Sequence, residues 1–525
     1  MVAVDLNKPG FEYDIHSLIK AFFPEEYVGV SAEKKTYEES VTLWMRVEYG
    51  EDFIGVLWKS QKQENDSTES GKIKFKVNFS DRAGTKNCLK QNLYRILSDY
   101  TGKRLPWGTL TGIRPTKIPM KLLEEGRSRG AIESYMRDTY FASEEKIGLS
   151  LDIAERELEL LSKIDYENGY SLYIGIPFCP TTCLYCSFTS SPLASWAKRV
   201  DDYLDALERE IDFVAVRFAH KHLNSIYIGG GTPTTLEPYQ LDRLIKKIKC
   251  NFDLSNCVEF TVEAGRPDSI TREKLEVLRR HGITRISINP QTMKQETLKI
   301  IGRHHTVEQT VESFRMAREL GFDNINMDLI MGLPGETIDD VRATMEQIKE
   351  LAPDNLTVHS LALKRAARLN MCREDYKDYE MVNTQEHMDL VAAYAGEMGL
   401  FPYYLYRQKS MAGNLENVGY AAPGKAGVYN ILIMEEKQTI MALGAGATTK
   451  FVMPKKRNVQ GMEGADVAVY AQTGAGGERQ QPSCTDQCPV RIERVENVKD
   501  VENYLSRVDE MIERKRKKME EMSWD

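Results

Sequence analysis

Cys179, Cys183 and Cys186 fall within eight residues, spaced Cys-x3-Cys-x2-Cys, in a chain of 525 residues with nine cysteines. Thiolates are soft ligands, so three on one short loop suit an iron–sulfur cluster or zinc better than a hard cation. A cubane held by three thiolates keeps one iron without a protein ligand, and that iron can bind a substrate or cofactor. Structural zinc is an alternative, but it is tetrahedral and needs a fourth ligand, and none stands at a customary spacing. Thiols that bind nothing are the third reading. Cys484 and Cys488 form a second group far downstream, read as without function, with an extra metal or a redox pair as the alternatives, while Cys88, Cys250, Cys257 and Cys372 are isolated. So low a cysteine content is no disulfide framework, and a reducing compartment favours metal binding for the triplet.

The triplet follows directly on an apolar, β-rich run at 171–178. Similar runs lie at 225–229, 258–262, 285–288, 324–331 and 355–363, and helical patterns separate them at 198–218, 237–249, 271–281, 306–320 and 337–350. Nearly continuous apolar strands alternating with helices predict an α/β fold whose parallel sheet is covered on its outer face. Right-handed crossovers curl such strands one way, and six units predict an open, partial (β/α)6 barrel over 166–400. A doubly wound sheet is the alternative, because periodicity does not order the strands. In the barrel, functional residues collect at the C-terminal ends of the strands, where the cysteine loop lies.

The flanks read differently. Residues 1–165 hold aromatic-rich strand candidates (TLWMRVEYG, FIGVLWKS, KIKFKVNF), then helices interrupted by WGTLTGIRPTKIP and ending in an acidic helix near 143–163. They predict a separate N-terminal α+β domain. Residues 401–525 predict a mixed C-terminal domain with a glycine-rich strand and turn (IMALGAGATTK) and a flexible insertion over 456–487. A terminal amphipathic helix puts Val501, Tyr504, Leu505, Val508, Met511 and Ile512 on one face, and its lysine and arginine run reads as a solvated face. At 42% hydrophobic and 28% charged the composition is globular, and a net charge of −8 argues against a nucleic-acid partner. No apolar run reaches the ~18 residues of a membrane span. The N-terminal residues lack a basic and apolar signal region, so a cytoplasmic location is expected.

Several other residues stand out. Gly229, Gly230 and Gly231 end the second strand without side chains, so a ligand can approach the backbone closely; a tight strand-to-helix turn ending at Pro233 is the plainer reading. Glu263 closes the third strand, as a ligand contact or as a surface charge at a helix start. Asp328 in a buried strand and Arg303 near a helix end have structural readings as well. His304 and His305 are adjacent, cannot face the same way on a helix, and predict a polar turn.

CPTTCLYC after one strand and GGGTP after the next resemble the radical S-adenosylmethionine enzymes. Tyr173, six residues before the first cysteine, together with GGGTPTTL, VEAGRPD, INPQT, IGRHHT and NMDLIMGLPGET, resembles the oxygen-independent coproporphyrinogen III oxidase group within that superfamily. LTGIRPTKI and IERVENVKDV look most like its coproporphyrinogen dehydrogenase (HemZ-like) branch. The resemblance runs over nearly the whole chain, most strongly over 166–365. It implies a 4Fe–4S cluster on Cys179, Cys183 and Cys186, with S-adenosylmethionine on the open iron near Tyr173, Gly230 and Glu263. It further implies a second adenosylmethionine at Gln291, Arg303 and Asp328, with Tyr185, Gly231, Thr232 and Ala362 as further contacts. A guanidinium suits the methionine carboxylate, and a carboxylate suits ribose hydroxyls or an ammonium.

The implied reaction converts coproporphyrinogen III to protoporphyrinogen IX. A 5′-deoxyadenosyl radical removes a hydrogen from the β-carbon of a propionate, and loss of CO2 and one electron leaves a vinyl group, twice over. A low-potential electron donor such as flavodoxin or ferredoxin is the implied partner. Four propionates ask for local cations, for which Arg365, Arg368, Arg407, Lys409, Lys425 and Lys450 are candidates by region. One departure bears on the activity. Many coproporphyrinogen oxidases carry another cysteine two residues after the third, where Ser187 and Phe188 stand here; the related haem chaperones also lack it. A haem chaperone and an anaerobic haem-modifying enzyme are therefore the alternative activities.

Overall fold

Along Leu43–Tyr49, Leu43, Met45, Val47 and Tyr49 are buried while Arg46 and Glu48 are exposed, the alternation of a strand with one covered face. In the computed structural model of the chain, this strand belongs to an N-terminal sheet ordered β2-β1-β3-β4-β5. Its members are β1 (Val2–Leu6), β2 (Val28–Ser31), β3 (Leu43–Tyr49), β4 (Phe53–Gln61) and β5 (Thr68–Lys76). Helices α1 (Glu12–Phe22) and α2 (Arg82–Thr101) pack Ile15, Leu18, Leu89 and Leu93 onto the covered face. Then come α3 (Lys117–Glu124), α4 (Arg129–Tyr140) and α5 (Glu144–Leu161). The structure describes all residues except 34–40, 62–67, 113, 188–189, 363–366, 373–375, 377–378, 409–414, 455–489 and 523–525. Cys484, Cys488, Arg365, Lys409 and the whole of the expected insertion lie outside the described residues.

β6 (Gly169–Ile176) leads into the cysteine loop, where a two-residue parallel pair, β7 (Phe178–Cys179) and β8 (Ser191–Pro192), and one turn, α6 (Leu193–Trp196), precede α7 (Val200–Arg217). The chain then alternates through β9 (His222–Gly230), α8 (Pro238–Asn251), β10 (Glu259–Gly265), α9 (Arg272–Arg280) and β11 (Arg285–Ile288). It continues with α10 (Gln295–Ile300), α11 (Val307–Glu319), β12 (Ile325–Met331), α12 (Ile338–Leu351) and β13 (Asn355–Ser360). Threonines start three of these helices: Thr271 caps α9, and Thr306 with Gln309 and Thr337 with Asp340 form capping boxes. The six long strands pair in parallel, each beside its neighbour in sequence: β6-β9-β10-β11-β12-β13. A doubly wound sheet would reverse that order part-way. The observed order is the singly wound one of a partial barrel.

The two faces of these strands divide the work. Phe260, Val262 and Ala264 of β10 join Leu244, Leu275 and Leu278 of the helices in the main core. The alternate residues line the inside: Tyr173 beside Tyr227, Glu263 beside Ser287, Asp328 beside Thr357. Residues beyond 363 complete this wall. After α13 (Arg368–Met371) and α14 (Gln385–Glu397), β15 (Asn417–Ala421) adds antiparallel to β13, and β14 (Phe401–Tyr406) adds antiparallel to β15 at the edge. Helix α15 (Val428–Glu435) then crosses to the opposite edge, where β16 (Thr439–Leu443) adds parallel to β6 and β17 (Thr448–Pro454) and β18 (Val490–Glu496) follow antiparallel. Among the described residues this makes one eleven-stranded sheet.

α15 is the floor. Tyr429 stacks on Tyr227 with ring centroids 4.6 Å apart, and the Val428 amide donates to the Glu259 carboxylate. From below, the LTGIRPTKI segment latches onto the end of α15. Arg114 donates to the Met434 carbonyl and pairs with Glu436 at 2.6 Å, and Lys117 reaches Glu436 at 3.2 Å. Cations at a helix C-terminus are favourable. Trp107, three residues ahead of this segment, donates to Glu416 (2.7 Å), which Lys146 of α5 also holds (2.6 Å).

The C-terminal helix differs from expectation. It is two helices, α16 (Val501–Ser506) and α17 (Val508–Glu521), broken at Arg507. Its basic run is not wholly solvated either. Lys515 is 0% exposed and pairs at 2.6 Å with Glu210 of α7, itself 1% exposed. That carboxylate also accepts from the Tyr504 hydroxyl (2.6 Å), the Gly444 amide (2.8 Å) and Asn497 (3.1 Å). Removing one partner of a buried pair strands the other charge, at a cost of about 3–5 kcal/mol. Lys515→Met is therefore expected to lower the thermal unfolding midpoint sharply, and the double variant with Glu210→Gln to recover part of the loss. Equal losses in the single and double variants would contradict the pairing.

A second buried acid stands at the α5–α15 contact. Neither carboxylate oxygen of Glu157 has a hydrogen-bond partner, and one oxygen of Glu435 has none. Burial, then the Glu435 charge, pushes the Glu157 carboxyl well above its ordinary range, with Lys437 opposing. In the unfolded chain the group ionises near pH 4.3. Its contribution to stability is thus fully present below that pH and is lost as pH rises toward the folded value. Glu157→Gln should raise the unfolding midpoint at pH 8 and by less at pH 5.5; a shift independent of pH would contradict the burial of an acid pair.

Candidate active site

The cysteine loop is held by backbone hydrogen bonds on both sides. Toward β9, the Gly231 amide donates to the Ile176 carbonyl (2.7 Å) and the Thr232 amide to the Phe178 carbonyl (2.8 Å). Toward α10, the Leu184 amide donates to Ile301 (2.9 Å), and the Leu369 amide of α13 donates back to Leu184 (2.9 Å). The glycines are required by this packing as much as by any ligand. A Cβ on Gly231 would stand 2.6 Å from the Phe178 carbonyl oxygen and 3.0 Å from the Cys179 sulfur. Gly230 has φ +109°, and a Cβ there would lie 3.2 Å from the Tyr173 hydroxyl. The Thr232 hydroxyl donates to Cys179 Sγ at 3.6 Å. Burial pushes the Cys179 thiol up to about 11, against the Thr232 hydrogen bond; metal binding would release that proton. Among the described residues no three His, Cys, Asp or Glu side chains converge on one point as a single ion requires. A cubane does not ask this of its thiolates, since each takes a different iron.

One locus lies on the β6–β10 wall. Tyr173 stacks with Tyr227 (6.3 Å) and Tyr429 (6.4 Å), and the Tyr227 hydroxyl donates to Glu263 at 2.5 Å. Burial pushes the Glu263 carboxyl up to about 7, with the Tyr227 hydrogen bond opposing and the Asp328 charge adding to the rise. Near neutral pH this group both accepts and donates. A cavity of about 280 Å³ opens beside Tyr173 and Gly230, and its far side is the 445–448 turn, with Ser187 on its rim. Sequence reasoning missed this contribution: the glycines of IMALGAGATTK signal a turn, but nothing in them says that β16 docks against β6. Tyr203 and Glu210 of α7 hold the turn by the Ala445 and Gly444 amides (3.0 and 2.8 Å).

A second locus lies on the β11–β13 wall. Gln291 adopts φ +70°, uncommon for a residue with a side chain. Its amide donates to the Asp328 carbonyl (2.9 Å) and its carbonyl accepts from Ile330 (3.0 Å), which sets Gln291 against Asp328. The Asp328 carboxylate accepts from Asn326 (2.7 Å) and stands 4.0 Å from His359, whose other ring nitrogen lies 3.4 Å from the Tyr406 hydroxyl. Burial lowers the His359 pKa, and Asp328 opposes the shift. Arg303 is buried, donates to the Asn289 carbonyl (2.5 Å) and sits against Tyr185, while its Nε has no partner. Ala362 follows β13 at the same end.

The histidine turn is only half polar. His304 is exposed, but His305 is 0% exposed with both ring nitrogens unpartnered, and burial pushes it down to about 4. The cation candidates separate as well. Lys425 pairs with Asp323 (3.0 Å) and Lys450 with Glu436 (3.4 Å), both below the floor. Arg407 is buried, 5.9 Å from the centre of the Trp107 ring, and donates to the Leu110 carbonyl (2.7 Å). Arg368 is exposed and adjoins the cysteine loop through Leu369.

The profile of the Radical SAM superfamily matches residues 173–348. The chain is 41% identical over 420 residues to the oxygen-independent coproporphyrinogen-III oxidase-like protein HemZ of Bacillus subtilis, covering 76% of this chain and 83% of that protein. It is 40% identical over 198 residues to the heme chaperone HemW of the same organism, covering 37% of this chain and 51% of HemW. Against the oxygen-independent coproporphyrinogen III oxidase of Escherichia coli it is 33% identical over 225 residues, 43% of this chain and 48% of that one. The chain thus spans about half the length of these last two relatives. The solved structure of the E. coli coproporphyrinogen III oxidase HemN aligns with a TM-score of 0.45 and 26% identity, over 57% of this chain and 70% of that chain. The chain belongs to the radical S-adenosylmethionine superfamily, in the family of HemZ-like oxygen-independent coproporphyrinogen-III oxidase-like proteins, and its cofactors are a 4Fe–4S cluster and S-adenosylmethionine.

Proposed function

We propose that the chain carries out the oxygen-independent oxidative decarboxylation of coproporphyrinogen III to protoporphyrinogen IX. The observation that carries this reading is the pair of polar loci flanking the cysteine loop. Tyr173, Gly230 and Glu263 stand on one side; Gln291, Arg303 and Asp328 stand on the other, with Tyr185 of the loop against Arg303. Two loci suit two adenosylmethionine molecules, matching a reaction performed twice on one substrate.

The residues present fit these groups. Cys179, Cys183 and Cys186 are the cluster ligands in this reading, and the Gly230 backbone offers a side-chain-free approach beside them. Arg303 keeps a buried donor without a partner, suited to a carboxylate. Glu263, poised near neutrality, takes an ammonium or a ribose hydroxyl. When bound, the cluster and adenosylmethionine supply one-electron reductive cleavage and a hydrogen-abstracting radical. The chain itself keeps the chamber closed: the Tyr173, Tyr227 and Tyr429 stack and α15 shut the floor against water. Each decarboxylation takes one hydrogen atom, one CO2 and one electron from the substrate, so a one-electron acceptor is also required. A low-potential donor such as flavodoxin or ferredoxin is the partner of this reading. The likeness to HemW, together with Ser187-Phe188 where many coproporphyrinogen oxidases carry a further cysteine two residues after the third, favours a haem chaperone as the second reading.

The test is anaerobic reconstitution, reduction and addition of adenosylmethionine, with coproporphyrinogen III and haem offered side by side. Release of 5′-deoxyadenosine with formation of protoporphyrinogen IX is expected. Stoichiometric haem binding without porphyrinogen turnover would establish the chaperone, and conversion of haem to a linear tetrapyrrole a third activity. Cys183→Ala should abolish deoxyadenosine release. Arg303→Met should retain iron yet lose at least about tenfold in turnover, the worth of a charge-assisted hydrogen bond.

A further inference from the structure

Arg266 follows β10 and has no part in the site as built so far. Its side chain is 3% exposed. On one side, Nε and Nη2 form a bidentate pair with Asp268 at 3.0 and 2.6 Å. On the other, Nη1 donates to the Thr181 carbonyl (3.0 Å) and hydroxyl (2.7 Å) and lies 3.8 Å from Cys183 Sγ. Thr181 stands midway between the first two cysteines, and its own hydroxyl donates to the Gly302 carbonyl at 3.1 Å. One guanidinium thus grips the middle of the cysteine loop and the sulfur of its second cysteine. Such a grip needs a planar fork; an ammonium cannot serve Asp268 and Cys183 in this geometry.

We propose that Arg266 is a positioning residue for the cluster: it fixes Cys183 as a ligand and raises the potential at which the cluster accepts an electron. Hydrogen bonds to ligand sulfurs and the local net charge set the potentials of iron–sulfur centres. Reduction adds one negative charge to the cluster, and a buried cation beside Cys183 stabilises that added charge. Asp268 offsets part of the cation, so the two residues act on the potential with opposite sign. The proposal rests on the cysteine triplet as cluster ligands and not on the identity of the tetrapyrrole.

Full-length wild type, Arg266→Met and Asp268→Asn are reconstituted anaerobically with iron and sulfide. Iron per chain is measured, and the cluster midpoint is read by titration followed by electron paramagnetic resonance. The expected result is a more negative midpoint in Arg266→Met and a more positive one in Asp268→Asn, with Arg266→Lys between Arg266→Met and wild type. A loaded Arg266→Met with the wild-type midpoint overturns the proposal. Shifts of the same sign in both variants also overturn it, because a merely loosened loop would produce them. If Arg266→Met takes up no iron, Asp268→Asn decides, and an unmoved or more negative midpoint there overturns the proposal. A wild type that holds no four-iron cluster overturns it together with the ligand assignment. A wild type that holds the cluster but leaves coproporphyrinogen III unchanged overturns only the substrate reading, and the midpoint comparison is still decisive for Arg266.

Discussion

The carboxylate of Glu210, buried on α7, is the knot on which the two ends of the barrel domain depend. It accepts from Lys515 and Tyr504 of the terminal helices, from Asn497 after β18, and from the Gly444 amide that opens the turn beside the candidate site. A charge withdrawn from water is costly unless its lone pairs are filled. They are filled here with β16 lying against β6 and the 445–448 turn facing Tyr173 and Gly230. One buried acid thus helps hold residues separated by more than two hundred positions around one cavity.

The cysteine loop obeys a different constraint. It carries few apolar side chains of its own, so its shape comes from its neighbours' backbones: carbonyls at Ile176 and Phe178 receive the glycine run, and Ile301 receives Leu184. That explains the absence of a side chain at Gly231, where a methyl would collide with the Phe178 carbonyl and the Cys179 sulfur. Arg266 closes the remaining side. The loop is thus fixed by glycine on one flank and by a guanidinium on the other.

The flanking regions serve the chamber rather than standing apart from it. The N-terminal latch at Arg114 and Lys117 holds the end of α15, and Trp107 with Lys146 holds Glu416 ahead of β15. α15 in turn brings Tyr429 under Tyr227. The LTGIRPTKI segment, whose meaning in the sequence was only a likeness, acts physically as the support of the barrel floor.

Most of the parallel core was legible in the sequence, because strands buried on one face and lined with functional groups on the other read as apolar runs ending in glycine or polar residues. The helix starts were legible too, since Thr271, Thr306 and Thr337 satisfy free amides locally. The Cys-x3-Cys-x2-Cys spacing was legible as a loop of soft ligands, but by itself it left a cluster, zinc and unliganded thiols open, and only the family resemblance chose among them. Strand order, the docking of β16 on β6 and the break at Arg507 were not legible, for they turn on contacts between distant segments. The basic run 514–518 looked like a solvated face because a lysine's partner cannot be read from its own helix; only the packed fold puts Lys515 against Glu210. The same holds for Arg266, an ordinary turn residue in the sequence, which tertiary structure alone brings to the sulfur of Cys183.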